Sequence, residues 1–102
     1  MSAETITLDS YVVRTLLRDL VGHDHRPAAF LVYLWLAAEA QRCDGAVAVS
    51  YASLAEETGL SRSTVQASVG WLVRRRLVAA EHASVTAVPV YRVLEPWRRG
   101  KR

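Results

Sequence analysis

The chain has 102 residues and a mass of 11.3 kDa, enough for one domain around one core and too little for a catalytic domain beside a regulatory one. Hydrophobic residues make up 51% and charged residues 23%, the composition of a folding globular chain rather than a disordered one. Met1 to Ser50 carries four Arg against six Asp and Glu, while Tyr51 to Arg102 carries nine Arg and Lys against four Glu. The second half is therefore the one suited to a polyanion, whether nucleic acid, acidic protein or membrane surface.

Residues 1–7 lack apolar periodicity and are expected to form a loose arm. Asp9 or Ser10 then offers an N-cap to a helix over Tyr11 to Val21, stopped by Gly22. Its apolar positions Val12, Val13, Leu16, Leu17, Leu20 and Val21 recur at helical spacing, and so wide a stripe on a terminal helix calls for a partner surface. Either the same domain or a second copy of the chain can supply it, and the width of the stripe favours a second copy.

Pro27 fits the first turn of a second helix, where its missing N–H costs nothing. That helix runs to Arg42. Phe30 to Leu36 is apolar around nearly the whole circumference, the mark of a central helix covered on several sides. Asp44-Gly45 supplies a turn and Ala46 to Val49 a short strand.

Ser50 caps a helix ending near Thr58, Gly59-Leu60 makes a tight turn, and Ser61 caps a further helix to about Arg75. In the latter, Val65, Val69 and Leu72, with Val73 as a further candidate, fall on one face, with Arg62, Ser63, Gln66, Ala67 and Gly70 on the other. Leu77 to Ala80 and Val88 to Leu94 read as two strands joined by a loop over His82 to Ala87, with Pro89 confining its strand to an edge or to the strand's start. The result is a mainly α domain over residues 8–95 with a small β wing, in the order α-α-β-α-α-β-β. A basic tail, 96–102, follows.

The segment from Ser50 to Val65, with its Leu54-Ala55, Gly59-Leu60-Ser61 and Thr64-Val65 pairs, resembles the helix-turn-helix of bacterial and phage winged-helix proteins. The likeness extends over Pro27 to Leu94. It implies that the helix after Ser61 enters the major groove of double-stranded DNA, and the residue types suit that role. Arg62 reaches toward guanine and Gln66 toward adenine, while Ser63 and Thr64 donate to phosphate or base. Ser61 and the first-turn N–H groups offer a phosphate site at the positive helix end, although Ser61 is equally an ordinary cap. Ser50, Ala67 and Arg74 complete the expected contact set on the domain, and Arg98 and Arg99 extend it into the tail. Ala67 and Gly70 stand where relatives often carry long polar side chains, and a close approach of another backbone would account for Gly70. Trp71 is expected to join the core rather than meet the wing or a partner. The wing loop contains no Arg or Lys.

The function implied is sequence-specific DNA binding by a homodimer paired through the first helix, in regulation of transcription. A winged-helix module that binds protein is the rival reading. An accessory role in replication of a mobile element is a third, drawn from resemblance to phage and plasmid relatives. No Gly-rich phosphate loop, nucleophile elbow or carboxylate pair suggests an enzyme, and no cofactor is implied. His23, Asp24, His25 and Cys43 invite a metal-sensor reading, but Cys43 lies a helix length from the histidines, so only a site across subunits would unite them. Cys43 has no cysteine partner for a disulfide. The longest apolar run, Ala28 to Ala38, is too short to span a bilayer and no signal segment is evident, so a cytoplasmic protein with no membrane partner is expected.

Overall fold

Pro27 opens the central element of the domain, helix α1 (Pro27–Arg42), whose residues Ala29, Phe30, Val32, Tyr33 and Leu36 are buried. The computed structural model describes residues 4–84 and 87–98. After α1 come strand β1 (Ala46–Ala48), helices α2 (Tyr51–Thr58) and α3 (Arg62–Arg74), strands β2 (Val78–Glu81) and β3 (Val90–Val93), and a 3₁₀ turn over Pro96–Arg98. With the helix that precedes α1, this is the expected order.

The three strands form one antiparallel sheet in the order β1-β3-β2. Val47 faces Tyr91 across β1 and β3, and Val78 faces Val93 across β2 and β3. The central place of β3 explains Pro89: a strand paired on both edges needs its N–H groups, so the proline stands just before its first residue. Its carbonyl accepts from Val49 N–H at 3.2 Å. Tyr33 reaches from α1 to donate its hydroxyl to the Leu94 carbonyl at 3.3 Å, which ties the sheet to the central helix.

The helix before α1 departs from the expected form in winding and in length. It is wound in the wider i→i+5 manner over Val12–Leu16 and Arg18–His23, so Gly22 lies inside it. Leu17 N–H bonds to the Val12 carbonyl and Asp24 N–H to the Asp19 carbonyl. That winding aligns residues four apart. Val12, Leu16 and Leu20 form the buried row, 2%, 4% and 0% exposed, whereas Val13, Leu17 and Val21 form a second row at 53%, 37% and 37%. The six-residue stripe is thus split between the domain's own core and solvent.

Residues 4–7, within the expected arm, form no helix or strand. They lie along the end of α1, where Thr7 N–H donates to Gln41 Oε1 at 3.0 Å and Gln41 Nε2 donates to the Thr7 carbonyl.

Candidate nucleic-acid interface

Two capped helices and one left-handed glycine set the aim of α3. Ser50 Oγ accepts from Ser53 N–H at 3.1 Å, which starts α2. Gly59, at φ +79°, ends it in a conformation that a Cβ disfavours. Ser61 Oγ then accepts from Thr64 N–H at 3.1 Å and begins α3. Leu54 of α2 and Val65, Val69 and Leu72 of α3 anchor the pair in the core shared with α1.

Burying that row turns the opposite face outward. Ser63, Ala67, Gly70 and Arg74 follow one another at helical spacing and all are exposed. A Cβ added at Gly70 would meet nothing within 4 Å, so none of the described residues explains that glycine. Arg62 and Gln66, on the α2 side of this line, are exposed and take no side-chain partner among the described residues. Arg62 lines a shallow cleft with Ala52, Ser53 and Glu56 of α2. Thr64, on the other side, is half-buried and accepts from Ser61 Oγ at 2.9 Å. The expected set from Ser61 to Arg74 therefore shares one open surface, with Ser50 at the start of the neighbouring helix. Ser50 and Ser61 serve as caps, each filling the first turn of its own helix.

The far end of α3 is clamped by residues that sequence reasoning placed elsewhere. Asp24, whose side chain is 5% exposed, accepts from Trp71 Nε1 at 2.9 Å and from Arg75 Nε at 3.0 Å, and lies 2.9 Å from His23 Nδ1. Burial acts to raise the Asp24 pKa, but the bonds from His23 and Trp71 and the charge of Arg75 outweigh it and hold the carboxyl below its ordinary 3.8. The clamp's contribution to stability is therefore present above that value and is lost as pH falls through the lower folded-state one. Arg26 lies over the Trp71 ring at 4.4 Å and Arg74 at 5.8 Å. Trp71 is only half-buried. Its N–H needs a carboxylate at the domain edge, so it packs against the core from outside instead of joining it. The one advance signal was an indole and an Asp, both needing partners, at two helix ends.

The tail reaches this surface less directly than charge counting suggests. Trp97 stacks on Tyr11 with ring centroids 4.4 Å apart, and Arg98 pairs with Asp9 at 2.9 Å and Glu95 at 3.3 Å. The guanidinium is thus committed within the fold. The hydrogen bond from Tyr11 N–H and the paired Arg98 guanidinium hold the Asp9 carboxyl below its usual range. Arg99 lies outside the described residues, as do Val85 and Thr86 of the wing loop.

Residues 26–78, just over half of the chain, match the family described as helix-turn-helix domain. The chain belongs to that family. Membership supports DNA as partner of the helix-turn-helix, and the match ends at the first residue of β2, so the wing strands beyond it rest on the fold alone. No curated protein and no solved structure matches the chain. Among the described residues no three His, Cys, Asp or Glu side chains are grouped to hold a metal ion, and His23 is committed to Asp24. No described helix is long and apolar enough to cross a membrane.

Proposed function

We propose that this helix-turn-helix protein binds double-stranded DNA sequence-specifically as a homodimer and regulates transcription in the cytoplasm. The observation that carries the reading is the unobstructed outer line of α3, Ser63, Ala67, Gly70 and Arg74, beside unpartnered Arg62 and Gln66. Small side chains along the ridge let the helix sink into the major groove. Arg62 and Gln66 at its shoulder then meet base edges, the first as a two-pronged donor to guanine and the second as donor and acceptor to adenine.

Fluorescence anisotropy with random-sequence duplex across a salt series tests this. Binding is expected to weaken steeply as salt rises, because phosphate contacts release counterions. Arg62→Ala is expected to weaken binding to a selected site by about 1–3 kcal/mol, roughly five- to 150-fold. Absence of binding by the unaltered protein even at low salt would favour a protein-binding role.

Pairing through the helix before α1 is supported by its outer row, Val13, Leu17 and Val21, exposed on an element whose other row is already buried. Two copies laid row to row hide both. Leu17→Glu is expected to convert the dimer to a monomer in sedimentation velocity, while a wild-type chain sedimenting as a monomer would remove the basis for symmetric half-sites.

A further inference from the structure

The three α-helices differ at their N-termini. Ser50 and Ser61 cap α2 and α3 with their own hydroxyls. Helix α1, sixteen residues long, begins after Arg26 with no side-chain cap and no acidic residue in its first turn. The Ala28 N–H has no acceptor among the described residues. The Arg26 carbonyl accepts from the Ala29 and Phe30 N–H groups at 3.0 and 3.4 Å, so the positive end of the domain's longest helix keeps the Ala28 N–H to offer.

That end does not face open solvent alone. It forms one wall of a cleft of about 340 Å³ lined by His25, Arg26 and Ala28 on one side and by Ser63, Thr64 and Ser68 of α3 on the other. Ser68 is only 4% exposed, and its hydroxyl takes no hydrogen-bond partner among the described residues. That hydroxyl is not sealed from solvent, so a ligand oxygen accepting from it in the cleft takes the place of water at a fixed donor. Thr64 Oγ1 accepts from Ser61 and so keeps its own proton to give. Backbone N–H, hydroxyl donors and two basic side chains converge here. No carboxylate lines the cleft, and Asp24, one residue before His25, is occupied by Trp71, Arg75 and His23.

We infer that this cleft seats one backbone phosphodiester of the duplex, on the strand that flanks α3 on the side away from α2. The inference rests on the DNA-binding reading above. A helix lying in the major groove has a phosphate strand on either side. The α2 side is served by Arg62 and the start of α2, and the other side by the start of α1. The shallow outer line at Ala67 and Gly70 fits this division, since a helix carrying short side chains there approaches until its flanks touch both strands. Arg26, held over Trp71 at 4.4 Å, brings its charge to the seat from a fixed position.

The test uses the full chain, random-sequence duplex in a salt series, and thermal melting. Ala28→Asp puts a carboxylate into the seat and onto the helix end. It is expected to leave the melting temperature unchanged or higher, to weaken DNA binding about ten-fold or more, and to lower the salt slope by about one. Ser68→Ala removes only the hydroxyl. It is expected to weaken binding about five-fold with the slope unchanged and no loss of melting temperature, because the free protein gains nothing from that group. Ser68→Ala binding as tightly as wild type, or Ala28→Asp retaining the full slope, overturns the seat while the DNA reading stands. A wild-type protein that binds no duplex overturns both.

Discussion

Ala67→Glu is expected to abolish duplex binding at moderate salt, by more than about 100-fold, while leaving thermal stability within about 0.5 kcal/mol of wild type. The position is exposed, midway along the outer line of α3 between Ser63 and Gly70. Glutamate is a good helix former, so the substitution has no backbone cost, and no core contact is lost. In the proposed complex, however, this ridge is the part that enters the groove. A carboxylate there is pressed against base-edge acceptors and between two phosphate strands, and like charges brought together cost several kcal/mol. Anisotropy titration alongside a thermal melt separates the two effects. Retained binding with a normal melt would mean that α3 is not the element inside the groove.

The second large effect concerns the foundation of the same helix. Leu72→Ala is expected to destabilise the protein by about 2–5 kcal/mol. Leu72 is 0% exposed and sits in the core shared by α1, α2 and α3. Removing its branched end leaves a cavity that the close-packed core around it cannot fill. Against the 5–15 kcal/mol typical of a whole domain, that is a sizeable fraction. The melting temperature should fall by roughly 10–25 °C. Val73→Ala, one residue on but 40% exposed, should change it little. A denaturant titration gives the free energy directly, and a loss below about 1 kcal/mol for Leu72→Ala would show that α3 is anchored elsewhere.

The helix-turn-helix was readable in advance because each of its signals is local. Ser50, Gly59 and Ser61 act within one helical turn of themselves, and Val65, Val69 and Leu72 repeat at the spacing of a single helix. Such features depend on backbone stereochemistry and periodicity, which neighbouring residues decide together. The wing strands were legible for the same reason, with their ends shifted by one or two residues. Pro89 left two possibilities, and pairing on both edges of β3 selected the second.

The outer row of the first helix shows where periodicity stops being informative. Six apolar residues identify a helix and an apolar stripe, yet they are compatible with two rows. Only packing into the shared core selects Val12, Leu16 and Leu20 as the buried row. Charge behaves likewise. Arg98 counts toward a basic tail in one dimension, but Asp9 lies 89 positions away in the chain and 2.9 Å away in space.

Local order along the polypeptide was therefore settled by residue type and spacing: which segments are helices, where they begin, and which face of α3 must stay wet. Pairings between distant segments were settled only on folding. Asp24 meets Trp71 and Arg75 across 47 and 51 positions, and the uncapped start of α1 comes to rest beside Ser68. Coulombic attraction and hydrogen bonding act through space over a few ångströms, and only the packed core determines which groups lie that close.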